Sequence, residues 1–183
     1  MTFHEYTELI LKEIMRSTSA INEEKIDEIT ESIISARNIY CDGLGKSGLV
    51  TDSFAMRLSQ MGMNALIVSG YTTTAITKED ILIIGSGSGE TPSLIEHAKK
   101  AKQLQAKVIL ITTNKKSSLG TYSDIVILIP APTKKDNTGE SMQPMGTLFE
   151  QSLGIFFDAL VLMLMKKLSI SVEEMYKNHN NLE

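Results

Sequence analysis

The 183-residue chain has no tryptophan, few aromatic residues of any kind and a single cysteine. One cysteine cannot form an intramolecular disulfide, so the sequence does not belong to the disulfide-stabilised class of small secreted proteins. A reducing compartment is therefore predicted. Cys41 lies in an apolar run, which predicts a buried thiol that acts as a small hydrophobic residue and not as a nucleophile.

An excess of positive charge is also missing, because 18 lysines and arginines stand against 22 aspartates and glutamates. Without a basic cluster, nucleic acid is excluded as the main partner. The N-terminus has no basic segment followed by an apolar run, as a signal peptide would have. The most apolar stretch, Leu153–Met165, is too short to cross a bilayer and predicts a buried helix. We expect a cytoplasmic protein with no membrane contact.

The pattern of apolar residues predicts one α/β domain over residues 1–183. Two helical segments occupy residues 1–37, and short apolar runs then alternate with helical stretches. The runs are continuously apolar, as in strands covered on both faces. Right-handed crossovers then give a three-layer α-β-α sandwich around a five-stranded parallel sheet. The strands are predicted at Ile39–Cys41, Ala65–Val68, Ile81–Ile84, Val108–Ile111 and Ile125–Ile129, and the helices at Ser47–Met61, Pro92–Leu104 and Ser117–Tyr122.

The C-terminal part of the chain begins with a polar segment, Pro130–Pro144, which holds three of the four prolines and predicts a mobile loop. A long helix, Thr147–Leu168, and a short one, Val172–Asn178, are predicted to follow. The long helix is apolar around most of its circumference. It belongs either to the core or to a subunit interface, and the breadth of its apolar surface favours an oligomer.

The most informative segment is the glycine- and serine-rich turn that joins the third predicted strand to the helix starting at Pro92. Glycine permits close approach of the backbone to a ligand, and a helix N-terminus offers unpaired N–H donors and a positive dipole end. This combination predicts an anion site, most simply for phosphate. An ordinary turn is the alternative. The turn consists of Ser86, Gly87, Ser88, Gly89, Glu90 and Thr91.

A second glycine-rich turn, Gly43–Gly48, follows the first strand and matches the G-x-G-x-x-G pattern. The acidic residue that a dinucleotide site requires about twenty positions later is missing. A Walker A motif is excluded because Tyr40 occupies the position of its first glycine. The hydroxyl of Ser47 and the cation of Lys46 are predicted to contact the same phosphorylated ligand, since carboxyl ends of parallel strands face one crevice.

Glu150 allows two interpretations. Thr147 and Glu150 have the spacing of a capping box at a helix start, which gives the carboxylate a structural role. A carboxylate beside a ligand crevice is equally suited to act as a general base. Among the histidines, His97 is expected to be solvated and His179 lies in a polar tail. No His, Cys, Asp or Glu cluster has metal-ligand spacing, so no metal and no cofactor are predicted.

Together these motifs resemble the sugar isomerase (SIS) domain family and, within it, the 6-phospho-3-hexuloisomerase branch. The resemblance spans nearly the whole chain. It implies a cofactor-free isomerase that interconverts 3-hexulose 6-phosphate and fructose 6-phosphate through an enediol, in the ribulose monophosphate pathway of formaldehyde fixation. The matching segments are Gly43–Gly48, Phe54–Leu58, Gly85–Thr91, Pro144–Glu150 and His179–Glu183.

Carried over to this sequence, the resemblance makes Glu150 the proton-transferring base and reverses the preference for a helix cap. Ser47 and the Ser86–Thr91 turn bind the substrate, chiefly its phosphate. His179 reaches an active site, from its own or a neighbouring subunit, in a homo-oligomer that the family makes a tetramer. Residues 1–37 and 147–180 are expected to pack on the sheet and on neighbouring subunits. Lys46 stands at a position where the resemblance makes arginine a common alternative. Lysine cannot make the planar bidentate contact that arginine makes with a phosphate.

Three alternatives remain at the level of sequence. The first is a non-catalytic module that senses a sugar phosphate, although no helix-turn-helix segment is found in the chain. The second is an isomerase for another sugar phosphate, such as arabinose 5-phosphate or a heptose phosphate. In the third, Glu150 only caps its helix, and the glycine-rich turns bind phosphate incidentally.

Overall fold

The computed structural model describes residues 1–134 and 140–182, so the predicted mobile loop lies partly outside the described residues. Two helices precede the first strand, and strands and helices then alternate. The elements are α1 (Phe3–Thr18), α2 (Glu23–Ser35), β1 (Ile39–Gly43), α3 (Gly45–Gln60), β2 (Ala65–Ile67), β3 (Ile81–Gly85), α4 (Pro92–Gln103), β4 (Lys107–Thr112), α5 (Ser118–Thr121), β5 (Ile125–Leu128), α6 (Thr147–Leu168) and α7 (Val172–Lys177).

The five strands form one parallel sheet in the order β2-β1-β3-β4-β5. Neighbouring strands are in register through Cys41, Ile83, Ile109 and Ile125. This order is flavodoxin-like, and the direction of winding reverses between β1 and β3. Ligands of such sheets bind outside the carboxyl ends of the strands at that point, which places Gly43 and the turn after β3 at the expected crevice.

Side chains that alternate along each strand bury two apolar layers. One layer joins Cys41, Ile83 and Ile109 to α2, α3 and α6, where the rings of Phe54 and Phe157 stack with their centroids 4.2 Å apart. The other layer joins the alternate residues of the same strands to α4 and α5. The strands are apolar on both faces because both faces are covered, and the predicted α-β-α sandwich is confirmed.

The long helix α6 is a core helix of this sandwich. Its side chains at Leu153, Phe157 and Leu164 are buried, and the helix packs against α3 and α1. By length and composition alone α6 would also span a membrane, but 56% of its apolar window is buried inside the domain, as in the core helix of a soluble protein. Ile155 and Leu162 remain exposed on its outer face.

The first turn of α3 approaches β1 unusually closely. A Cβ atom added to Gly48 would lie 2.6 Å from the carbonyl oxygen of Gly43, a backbone atom that cannot rotate away. Helix α3 begins at Gly45, two residues earlier than the sequence predicts, and Gly45 adopts a φ of +61°. The G-x-G-x-x-G spacing therefore serves close packing of a helix start on a strand end.

We predict that Gly48→Ala lowers the free energy of unfolding by about 1–3 kcal/mol, because the methyl group must displace backbone. Gly154→Ala in α6 is the matched control, since its Cβ would meet Val50 at an ordinary 3.7 Å. That control should leave stability unchanged or raise it by up to about 1 kcal/mol through helix propensity. Urea unfolding followed by circular dichroism measures both. Equal stability of the two variants would contradict the close-packing role.

Candidate active site

A cavity of about 720 Å³ opens at the carboxyl edge of the sheet. Five segments line it: the turn after β1, the turn after β3 with the start of α4, residues 113–114 after β4, residues 131–134 and the start of α6. The two predicted phosphate turns and Glu150 thus face one space, as sheet topology requires. Among the predicted residues, those lining the cavity are Ser47, Ser86, Gly87, Ser88, Glu90, Thr91 and Glu150. The sequence reasoning missed Thr113, Asn114, Ala131, Pro132, Thr133 and Lys134, which line it as well.

The turn after β3 is held in place by the end of β4. The carbonyl oxygen of Gly87 accepts hydrogen bonds from Thr112 Oγ1 at 3.0 Å, from the Thr113 N–H at 3.0 Å and from Thr113 Oγ1 at 2.9 Å. Gly89 adopts a φ of +67°, and a Cβ there would lie 2.1 Å from Ser117 Oγ. Only glycine fits this position, so the close approach of the turn to Ser117 depends on Gly89.

Glu90 supports the turn from the side of α5. Its carboxylate accepts the Ser118 N–H at 2.8 Å, and its own N–H donates to Ser88 Oγ at 3.2 Å. The side-chain and backbone hydrogen bonds from Ser118 lower the pKa of Glu90. Thr91, at the N-cap of α4, makes no capping hydrogen bond with its side chain. The predicted contact of Glu90 with substrate stays a prediction.

Glu150 is the buried carboxylate of the cavity, with its side chain only 5% exposed. Its Oε2 atom lies 3.4 Å from Lys46 Nζ, and its Oε1 atom lies 3.9 Å from Lys134 Nζ. A buried carboxylate is costly without such counter-charges, and the positive end of α6 adds to them. Lys46, which the sequence predicts to contact a phosphorylated ligand, is therefore in contact with Glu150 in the folded domain.

The capping-box interpretation of Glu150 is wrong. The N-cap of α6 is Gly146, with no side-chain cap, and Thr147 is already the first helical residue. The hydroxyl of Thr147 donates to the carbonyl oxygen of Pro144 at 2.7 Å and not toward Glu150. Because the helix starts one residue earlier than that capping box requires, Glu150 is not at its N3 position, and the carboxylate is left to the cavity.

Lys134 belongs to a segment that we call the strap, which consists of the described residues 130–134 and 140–146. Helix α1 holds both described parts of the strap. Ser17 Oγ donates to the Pro130 carbonyl oxygen, and Arg16 Nη2 donates to that of Glu140 at 2.8 Å. The described parts of the predicted mobile loop are thus fixed to the domain, one of them directly over the cavity.

Glu13 of α1 makes three further hydrogen bonds to the strap. Its carboxylate accepts hydrogen bonds from Ser141 Oγ at 2.6 Å, the Met142 N–H at 2.9 Å and Gln143 Nε2 at 3.0 Å. Desolvation by burial raises the pKa of Glu13, but the hydrogen bonds together outweigh it and lower the pKa. The ionised form of Glu13 therefore stabilises the folded strap.

The sequence predicts that His97 is solvated. In the structure, however, its Nδ1 atom lies 2.7 Å from Oδ2 of the buried Asp42. Burial raises the pKa of Asp42, and the hydrogen bond with His97 opposes that rise. Asp42 is on the side of β1 that faces α4, with Tyr40, whereas Glu150 is on the α6 side. The pair therefore lies outside the cavity. Cys41 is buried as predicted, and burial raises its pKa strongly.

His179 lies far from the cavity of its own protomer. The preceding residue, Asn178, donates from Nδ2 to the Gln60 carbonyl oxygen at 3.0 Å, at the end of α3 remote from the crevice. Helix α3 has 16 residues, a length of about 24 Å, and its other end carries Ser47. A catalytic contact of His179 therefore requires the cavity of a neighbouring subunit.

The residues that the structure describes contain no group of three His, Cys, Asp or Glu side chains placed to hold a metal ion. The polar groups at the cavity are hydroxyls, helix N-termini, Lys134 and the carboxylates of Glu90 and Glu150, with Lys46 beside Glu150. This fold and this set of groups define a doubly wound α/β protein whose cavity suits a phosphorylated small molecule beside a buried carboxylate.

Comparison with known proteins narrows this class. The SIS domain family matches residues 32–163, and the chain belongs to that family. Over 181 residues the chain is 45% identical to the 3-hexulose-6-phosphate isomerase of Bacillus subtilis (strain 168), a match that covers 98% of each chain. It is 36% identical over 174 residues to the 3-hexulose-6-phosphate isomerase of Methanocaldococcus jannaschii, covering 95% of this chain and 92% of the relative.

A solved structure gives the same result for the fold. It is that of a protein from Methanococcus jannaschii for which a molecular function of 3-hexulose-6-phosphate isomerase was inferred. The two structures align with a TM-score of 0.86 at 32% identity, over 98% of this chain and 99% of the other. The family suggested by the glycine-rich turns and the segment before Glu150 is confirmed.

We predict that Glu13→Gln lowers the free energy of unfolding by about 1–3 kcal/mol at neutral pH, because a charged acceptor of three hydrogen bonds is lost. The lowered pKa means that this contribution is present above the usual pKa of glutamate and is lost as pH falls through the folded-state value. The difference between wild type and variant should therefore shrink in acid.

Urea unfolding at about pH 7 and about pH 3 measures this difference. Glu8→Gln, on the exposed face of the same helix, is the control and should match wild type at both values. A Glu13→Gln penalty that stays the same at both pH values would contradict the ionic attachment of the strap.

Proposed function

We propose that the protein is an isomerase that interconverts 3-hexulose 6-phosphate and fructose 6-phosphate. The single observation that carries the proposal is a buried carboxylate, Glu150, that shares one cavity with the Ser86–Thr91 turn. Relatives that carry the name of this activity match nearly the whole chain. The cavity has the Ser86–Thr91 turn at one end and the Glu150 carboxylate at the other. It therefore suits a substrate that has a phosphate at one end and an exchangeable proton near the other.

The phosphate binds at the two turns in this proposal. The Ser86–Thr91 turn precedes α4 and the turn with Ser47 opens α3, so two helix N-termini offer N–H donors and positive potential. Lys46 supplies a cation beside them. Binding the remote phosphate fixes the reacting carbons against Glu150, which raises the effective concentration of the base.

Glu150 is the base that moves the proton. It takes the proton from C2 of the 3-hexulose and returns it to C3, so that the carbonyl group moves from C3 to C2. A positioned base typically contributes about 10²–10⁴-fold to such a step. The substrate carbonyl itself makes the neighbouring C–H acidic, so the reaction needs no bound cofactor.

The wider setting follows the resemblance. We place the enzyme in the cytoplasm and in the ribulose monophosphate pathway, as a single SIS domain over residues 1–183. Exposed apolar side chains on three helices, Leu11 and Met15 of α1, Met56 of α3 and Leu162 of α6, suit contacts with neighbouring subunits in a homotetramer. Such an assembly would bring His179 to the cavity of another subunit.

We predict that Glu150→Gln lowers kcat by about 10²–10⁴-fold while the affinity for fructose 6-phosphate changes little, because the amide cannot accept the proton. A coupled assay from 3-hexulose 6-phosphate, together with calorimetric binding, separates the two effects. Glu96→Gln, an exposed change on α4, is the control and should be fully active. Near-normal turnover by Glu150→Gln would contradict the assignment, and a wild type that binds without turnover would indicate a sensor.

A separate experiment tests whether His179 reaches the active site of a neighbouring subunit. We predict that Glu150→Gln and His179→Asn are each impaired, and that their co-assembled oligomer regains activity that neither has alone. The reason is that some shared sites then combine an intact Glu150 with an intact His179 of another subunit. The measurement is kcat of co-expressed, doubly tagged oligomers. A mixture no more active than its parents would contradict donation between subunits.

A further inference from the structure

We propose that Lys134 is a further catalytic residue, whose ammonium group stabilises the substrate oxygen that becomes negative when Glu150 removes the proton. This inference rests on the proposed isomerase function and assigns a role to a residue of the strap. The charge that develops on the carbonyl oxygen is the main barrier to forming an enediolate, and a placed cation lowers that barrier.

The position of Lys134 relative to Glu150 supports this role. Lys134 Nζ lies 3.9 Å from Oε1, whereas Lys46 Nζ lies 3.4 Å from Oε2, so the two cations approach different oxygens of one carboxylate. The side chain of Lys134 runs along Gly146, where an added Cβ would lie 3.5 Å from its Cγ and 3.7 Å from its Cε. The stem is therefore in contact with the start of α6, and the tip is at the cavity.

Structural stabilisation of the Glu150 charge is only part of the explanation for this placement. The side chain of Lys134 is 56% exposed, and ion pairs with so exposed a partner contribute little to stability. A cation at a helix N-terminus also opposes the positive end of the helix dipole. Lys134 is nevertheless presented at the start of α6 by a strap whose two described parts are attached to α1 through Ser17 and Glu13. A charge kept at an unfavourable position beside a base suits a role in the reaction.

Lys46 and Lys134 have different roles in this proposal because they lie on different segments. Lys46 precedes Ser47 in the first turn of α3, next to the predicted phosphate contacts. Lys134 comes from the strap and lines the cavity together with Glu150. A reacting carbon about 3–3.5 Å from the carboxylate places the adjacent carbonyl oxygen within reach of the Lys134 ammonium group.

The proposed step balances without another reactant. Glu150 accepts the C2 proton, the C–H electron pair forms the C2–C3 double bond, and the C3 carbonyl electrons move to O3. The Lys134 ammonium donates a hydrogen bond to O3 and to the neighbouring O2 while the hydroxyl proton passes from O2 to O3. The O2 electrons then form the C2 carbonyl, and Glu150 returns its proton to C3. Lys134 keeps all its protons throughout.

The test compares Lys134→Met with Lys134→Arg and with Lys99→Met, an exposed control on α4. Removal of one group that stabilises a developing oxyanion typically lowers kcat by about 10²–10³-fold, and we expect that loss for Lys134→Met with KM changed less than about threefold. Lys134→Arg keeps the charge and should retain more activity than Lys134→Met. Lys99→Met should equal wild type.

A binding measurement gives a second readout that turnover does not. A phosphorylated hydroxamate that mimics the planar, anionic enediolate should lose affinity for Lys134→Met in proportion to the loss of kcat, whereas fructose 6-phosphate should bind as it does to wild type. Full activity of Lys134→Met, or a raised KM at unchanged kcat, would overturn the role of Lys134 and leave the isomerase intact. An inactive wild type, assayed first, would instead remove the proposed function and this inference with it.

Discussion

The buried charge of Glu150 is the constraint on which the site depends. A carboxylate removed from water is tolerated only when counter-charges and dipoles replace the lost hydration. Here the replacements come from three separate segments: Lys46 at the start of α3, Lys134 on the strap and the N-terminus of α6 itself. Each has to be positioned by a different part of the fold. The doubly wound sheet, the strap and its anchors on α1 can therefore be understood as a single support for one ionised group.

Close backbone packing connects this support to the sequence. Gly48 lets α3 start against the end of β1, and Gly89 lets the next turn pass Ser117. Both turns thus bring helix N-termini to the carboxyl edge of the sheet, where their N–H groups and dipoles favour an anion. Larger residues at these positions would move the helix starts outward. The glycines therefore act on binding indirectly, through the distance between helices and sheet.

Much of the fold could be predicted from the sequence because the signals are local. Buried parallel strands are short continuous apolar runs, and the helix that the sequence predicts at Thr147–Leu168 has the bounds of α6. The anion turns were visible for the same reason. The Asp42–His97 pair and the Glu13 attachment join residues 55 and 128 positions apart, and no local pattern marks them. The Thr147 and Glu150 spacing was misleading, because the backbone at Met145 and Gly146 decides where the helix starts.

The central claim is that Glu150 exchanges a proton at one carbon of a bound sugar phosphate. Its most direct test is to incubate the protein with fructose 6-phosphate in deuterated water and to follow the sugar by NMR. We expect deuterium at C3, no deuterium at C1, and loss of the exchange in Glu150→Gln. Exchange at C1, or exchange at C3 that persists in Glu150→Gln, would contradict it.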